Sequence, residues 1–435
     1  MRWIILSAAL ACCGFVCRSV HASSSDARQV TAREAAAPVT HYTLPPDKLQ
    51  KAVALARTGR RIYFGEYFTV LIVLLVILRV GWAAKLSDWA TRAISLRIVQ
   101  ALIFCPALLL TIDLAQFPFR VWGHAALRAY GLSVQGWLSW LGDWAKEEAI
   151  TLVIATFVGW LLYLLIRRSP RRWWMAAWGA AMIFIVAGFY FEPLVVDPMF
   201  YDYRPLAETH PQLVTSVEEA ISRVGVTVPE SCIYEMLASK KVNELNAYVA
   251  GVGGTKRIVF WDTLLESMGE PQTLSVFGHE LGHYVLGHAW KTIAASALGL
   301  GISLPILAWF FNGILRKWES LWYVREPRDW TALAVLLLLI FVFQFVATPI
   351  DNAFSRYIEH QADVFGLEVI HGIVPDSPQV AAQALQTLGE TNLEEPDPSP
   401  AVVFWFYTHP PIADRINFAL SYDPWKNGGS PEFVH

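Results

Sequence analysis

Residues 332–350 read ALAVLLLLIFVFQFVATPI, and Asp351-Asn352-Ala353-Phe354-Ser355-Arg356-Tyr357-Ile358-Glu359-His360-Gln361-Ala362-Asp363 follows at once. The first part carries no charge and is close to the ~20 residues that cross a bilayer as a helix. The second part is polar and sets Glu359 and Asp363 four positions apart, on one face of a helix. A membrane span that leads straight into a patterned pair of carboxylates frames the reading of the whole chain. Apolar helices supply the scaffold, and the chemistry lies against their ends.

Five further apolar segments lie at about 66–84, 98–115, 149–166, 173–193 and 291–311. Any one of them could be a buried core helix, but six in one chain argue for a membrane. The composition agrees: of 435 residues, 55% are hydrophobic and 16% charged, where a soluble protein carries about a quarter charged. Mean hydropathy is +0.39. Nineteen Trp and 24 Phe suit the aromatic belts of membrane interfaces. A net charge of −3 without a large basic block excludes a nucleic-acid partner. The expected partner of the apolar surface is the lipid bilayer.

Cys12, Cys13 and Cys17 sit in the N-terminal apolar stretch, Cys105 inside an expected span and Cys232 in a polar region. That distribution offers neither a disulfide framework nor a cysteine-rich metal site. Residues 1–22 read as a secretory signal: Arg2, an apolar run from Trp3 to Val16, then Val20-His21-Ala22 before polar sequence. The alternative is an uncleaved first transmembrane helix. The rest divides into a polar segment at 23–64, helical from about Pro46 to Phe64, and four spans within 65–193. A polar block at 194–290, a helix pair within 291–350 and a second polar block at 351–435 complete it. The proline-interrupted stretch from Glu394 to Pro400 reads as a loop.

Arg167-Arg168-Ser169-Pro170-Arg171-Arg172 places four arginines between two spans, a positive-inside signal. If all six spans are real, the loops at 85–97 and 312–330, also basic, fall on the same side. Both polar blocks then face away from the cytoplasm, across a bacterial inner membrane. Arg57, Arg60 and Arg61 ahead of the first span argue the other way.

The first polar block ends in His279-Glu280-Leu281-Gly282-His283. Pro271 suits a first helical turn, and Leu274, Phe277, Leu281 and Val285 recur at helical spacing. Two histidines four apart on a helix differ by about 40° around its axis, so both rings point one way. They can fill two tetrahedral positions of a zinc ion, and Glu280 can reach the open position as a general base for peptide hydrolysis. His288 comes five residues after His283, and the glycine of the longer metzincin pattern is missing. On a continuing helix it would be turned by roughly 140° from His283, so it is read as structural or interfacial and not as a ligand. The best third ligand is Glu359, which completes a His₂Glu set. Asp363, one turn on, can accept the free ring N–H of a metal-bound histidine. Taken alone, that segment would pass for a solvated helix face.

With these residues in place the chain resembles the integral-membrane zinc metallopeptidases of the type I CAAX prenyl protease kind and their bacterial heat-shock-type relatives. The matching elements are His279 to His283, a pair of spans, and Asn352-x-x-Ser355-Arg356-x-x-Glu359-x-x-x-Asp363. Asn246-Ala247-Tyr248 ahead of a strand at Arg257-Ile258-Val259-Phe260, and Thr408-His409-Pro410-Pro411 with Arg415, match as well. The resemblance implies a mainly α, polytopic membrane protein with a gluzincin-type zinc metallopeptidase core and a small β element. It implies one zinc ion per chain on His279, His283 and Glu359, with Glu280 as base. It further implies Asn246 and Arg415 on the substrate side and His409 near the developing oxyanion. The function expected is a membrane-embedded zinc endopeptidase acting on a peptide or membrane-protein substrate, in CAAX-type processing or membrane-protein quality control. The rival is a non-enzymatic membrane metal-binding protein or transporter. A transporter places polar groups within its spans, and here they gather just outside them.

Overall fold

The computed structural model describes residues 38–318, 320–426 and 429–435, so the expected signal or first span at 1–22 lies outside the described residues. The chain begins with α1 (Pro46–Arg79), α2 (Trp82–Ala93), α3 (Arg97–Ala129), α4 (Trp137–Arg168) and α5 (Trp173–Phe191). A polar region follows: β1 (Tyr203–Pro205), α6 (Pro211–Arg223), β2 (Ile233–Met236), β3 (Ala247–Ala250), β4 (Arg257–Trp261), α7 (Asp262–Ser267) and α8 (Glu270–Val285). Two long helices, α9 (His288–Trp318) and α10 (Thr331–Ile370), lead to α11 (Ser377–Thr391), α12 (Pro400–Phe406) and α13 (Ile412–Ser421).

Among the described residues, six helices are long and apolar enough to cross a membrane: α1, α3, α4, α5 with its continuation to Met199, α9 and α10. They coincide with the six apolar segments of the sequence. Most of the helices extend beyond those segments, and the first span differs at both ends. The polar stretch from Pro46 and the first span form one helix of 34 residues. That helix stops at Arg79, because Gly81 at φ +69° turns the chain into the separate helix α2. A left-handed turn of this kind is where a glycine costs least.

The spans pack around a shared apolar core that includes Leu74, Phe104, Tyr163, Trp173, Phe311 and Trp330. At Gly159 an added Cβ would stand 2.8 Å from Cys105 Sγ, so α3 and α4 touch through a small residue, as membrane helices commonly do. At one end of the bundle the basic loops meet. Arg325 binds Asp88 through both nitrogens at 2.7 and 2.9 Å, Ser87 donates to Asp329 at 2.6 Å, and Arg167 reaches the carbonyl of Arg328 at 3.4 Å.

The polar blocks fold together at the other end. Their sheet has the order β1-β2-β4-β3, with β2 and β4 parallel and the other two pairs antiparallel. In β4, Arg257 to Phe260 are all buried, as a strand covered on both faces should be. The expected strand is thus the inner member of a small four-stranded sheet, with β3 at its edge. Ile258, Phe260, Phe277, Phe365 and Ile370 form the core beneath it. The N-terminal part of α1 is tied to this unit by Lys48–Glu390 and Arg60–Glu395, both at 2.8 Å.

Candidate active site

The site forms where α8 crosses α10, and three glycines set how closely the helices approach. A Cβ on Gly366 would lie 2.9 Å from the backbone N of His279, and one on Gly278 would lie 3.0 Å from the carbonyl of Gly366. On Gly282 it would come within 3.2 Å of Ala362 Cα. Those distances leave no room for a side chain on either helix. The first imidazole of α8 and the carboxylates of α10 therefore meet directly. No loop intervenes: α10 is a single 40-residue helix from the membrane span through Asp363.

His279, His283 and Glu359 offer one ligand atom each within 4.8 Å of one another, and they form the only such group among the described residues. The Nε2 atoms of His279 and His283 are 3.1 Å apart, and Glu359 Oε2 stands 3.2 Å from the first and 3.6 Å from the second. Ligands ~2.0–2.2 Å from a tetrahedral metal ion are separated by about 3.3 Å, so the spacing fits a cation. The proton inventory fits as well. Nδ1 of His279 donates to Asp363 Oδ1 at 2.9 Å, which leaves a lone pair on its Nε2. Two imidazole nitrogens and a carboxylate crowded into a buried space need a proton or a metal ion between them.

Asp363 is held in turn by Arg415, whose Nε and NH2 donate to the two carboxylate oxygens at 2.9 and 2.6 Å. This bidentate pair holds Asp363 against the ring of His279. Arg415 also lines the cavity, and its guanidinium lies 3.4 Å from His279 Nδ1. Burial by itself would favour the neutral ring of His279, yet Asp363 and Glu359 beside it raise its pKa to about 10. The same negative field favours a divalent cation.

Glu280 is buried, and burial raises its carboxyl above the usual range despite the neighbouring histidines. It faces a cavity of about 910 Å³ that also borders Glu66, Trp140, Lys241, Asn246 and His409. Asn246 immediately precedes the edge strand β3, and its carbonyl accepts the amide of Trp261 at 3.0 Å. His409 comes from the far C-terminal block and places Nε2 3.0 Å from Glu359 Oε2.

His288 lies in a different position from the one expected on a continuing helix. α8 ends at Val285, and Gly287 takes φ +65° before α9 begins. The break swings the side chain of His288 back, and its Nδ1 is 2.8 Å from Nδ1 of His283. It is not one of the three residues whose ligand atoms converge, but it touches one of them. A histidine just after a glycine at the end of the motif helix was the available signal.

Two profiles of known families cover most of the chain. "Peptidase family M48" matches residues 207–423, and "CAAX prenyl protease N-terminal, five membrane helices" matches residues 27–202. An uncharacterized metalloprotease of Bacillus subtilis, YhfN, is 32% identical over 79% of this chain and 79% of its own length. The chain belongs to peptidase family M48. The probable CAAX prenyl protease 1 of Schizosaccharomyces pombe is 25% identical over 87% of this chain and 80% of its own length. The crystal structure of S. mikatae Ste24p superposes with a TM-score of 0.73 at 21% identity, covering 87% of this chain and 89% of that one. This M48 protein is therefore a multi-pass membrane metalloprotease, a hydrolase of peptide substrates with a polytopic helical fold and a small sheet. Among the described residues, the group assembled where α8 crosses α10 is the one that could hold its metal ion.

Proposed function

We propose that the protein is a zinc-dependent endopeptidase whose site is buried at the end of a membrane helix bundle. The observation that carries this reading is the convergence of His279, His283 and Glu359, with Asp363 holding the outer nitrogen of His279. Two neutral imidazoles and one carboxylate are a frequent catalytic zinc set, with a position left open for substrate chemistry.

Zinc, when bound, supplies a Lewis acid at the scissile carbonyl and acidifies the attacking water. The protein's own groups do the rest. Glu280 takes the proton from that water and later hands it to the leaving amine. Its raised proton affinity suits a base that must also act as an acid near neutral pH. His409 points an imidazole nitrogen into the same space, where a donor can stabilise negative charge developing on the substrate oxygen. β3 has β4 on one side only, so its free edge can pair with an extended peptide. Asn246, at the entry to that strand, would contact the substrate backbone.

The cavity reaches from the ligands to side chains of α1, α3 and α4, which supports a substrate that arrives along the bundle. We assign the substrate as a membrane-associated polypeptide, in CAAX-type processing or removal of damaged membrane proteins. The meeting of the basic loops at the bundle's other end supports a site facing away from the cytoplasm of a bacterial inner membrane. The central test is Glu280→Gln. Zinc content should stay at one per chain while proteolysis falls by several orders of magnitude, and unchanged activity would overturn the assignment. Protease accessibility of the loop at 167–172 against that at 394–400, in sealed vesicles, checks the orientation.

A further inference from the structure

His409 reaches the ligands from a segment that does not otherwise belong to α8 or α10. The short helix α12 ends three residues before it, and Pro410 follows directly. Proline restricts the preceding residue to extended backbone, so the chain after His409 is stiff. The chain before it needs an anchor, because the last carbonyls of a helix have no partners within that helix.

Two side chains of α10 supply that anchor. Nδ2 of Asn352 donates to the carbonyl of Trp405 at 2.6 Å. NH1 of Arg356 donates to the carbonyls of Val403 at 3.1 Å and Tyr407 at 2.6 Å. Asn352 is buried, and Arg356 makes no ion pair with a carboxylate among the described residues. Its positive charge is directed at the C-terminal carbonyls of α12, where a cation is favoured. Both residues lie on successive turns of the helix that carries Glu359, and Arg356 is only three positions from it. One rigid helix thus presents the metal ligand and grips the backbone that leads to His409.

We propose that Asn352 and Arg356 are positioning residues that fix His409 at the metal site by clamping the end of α12. The proposal rests on the catalytic reading of His409 given above. If these bonds only capped a short helix, their loss would cost stability and leave the chemistry of folded molecules intact. A positioning role predicts more, because a reacting group misplaced by about 1 Å can lose roughly 100-fold in rate.

The test uses the full-length, zinc-loaded protein with Arg356→Ala, Asn352→Ala and the milder Arg356→Lys, whose single ammonium cannot fork between two carbonyls. Hydrogen exchange read by mass spectrometry should accelerate over residues 403–409 by roughly tenfold or more while the ligand helices stay protected. Zinc content should be unchanged. On a peptide substrate, kcat should drop roughly 10- to 100-fold in Arg356→Ala with KM within about threefold. In a His409→Ala background, Arg356→Ala should cost no further activity, since the two act as a unit. Unchanged exchange over 403–409 would overturn the clamp, and so would losses that multiply in the double variant. A wild-type kcat in His409→Ala would instead overturn the catalytic reading of that histidine, with the exchange data still deciding whether the clamp exists. Should Arg356→Ala fail to fold, Asn352→Ala and Arg356→Lys give the same readouts.

Discussion

Nδ1 of His288 lies 2.8 Å from Nδ1 of His283. In the proposed zinc site His283 keeps its Nε2 lone pair for the metal, so its Nδ1 carries the proton and His288 accepts it. The two proposed ligand histidines thus have different partners, His279 the anionic Asp363 and His283 a neutral ring. Partners of this type typically contribute 10- to 100-fold in metal affinity. His288→Phe should weaken zinc binding by about that factor, measured by competition with a chelator, and His288→Asn should recover part of it. Wild-type affinity in His288→Phe would show the contact to be incidental.

Gly366 is predicted to be intolerant of any side chain. Its added Cβ would lie 2.9 Å from the backbone N of His279, an atom that cannot move without shifting the ligand. Overpacking of this kind costs typically ~1–3 kcal/mol. Gly366→Ala should therefore lower Tm and zinc affinity together. Gly313, which has open space around it, serves as the control position: Gly313→Ala should leave both unchanged.

Removal of zinc should loosen the crossing of α8 and α10, because the proposed bonds from one ion to His279, His283 and Glu359 are then lost. Stabilisation by a ligand at a thousand times its Kd is about 4 kcal/mol. Chelation should lower Tm accordingly and speed hydrogen exchange at 279–283 and 359–363, with recovery on adding zinc back. An unaltered Tm after verified metal loss would contradict a structural contribution from the ion.

Glu235 gives a pH dependence in the polar unit. Burial pushes its carboxyl up, but Arg204, bonded at 2.7 and 2.8 Å, and the Thr209 hydroxyl at 2.6 Å outweigh this and hold it below the usual glutamate range. A depressed acid contributes fully above its unfolded pKa of about 4.3 and loses that contribution as pH falls through the lower folded value. Glu235→Gln should cost about 1–2 kcal/mol near pH 7, toward the modest end because Arg204 is partly exposed. The gap in Tm between the variant and the parent should close below pH 4. A gap independent of pH would refute the ionic origin.

Much of the architecture was legible because its signals are local. A bilayer demands about 20 apolar residues per helix, and each of the six spans meets that demand within its own segment. The pentad is equally local, since four residues of helix bring His279 and His283 to one side whatever surrounds them. Glu359 could be found because it follows a span directly and stands four residues before Asp363. What escaped was decided by single backbone angles or by contacts between distant segments. Gly81 and Gly287 in left-handed conformations ended α1 early and redirected His288. The pairing of Arg415 with Asp363, 52 residues away, is another such contact, and nothing near either residue in the chain shows it. The short strands β1, β2 and β3 carry too few residues for a period-two pattern to stand out.

The sequence by itself determined that this chain lies in a membrane and carries a His-Glu-x-x-His helix, with a patterned glutamate after its last span. Those properties follow from hydrophobic length and helical spacing, which need no tertiary context. The tertiary structure decided how closely α8 and α10 approach, which residue orients each histidine, and how Asn352 and Arg356 hold the backbone that leads to His409. These depend on side chains and carbonyls that meet only when segments tens to hundreds of residues apart are packed together. Packing at that range is set by the whole core, and no short window of sequence contains it.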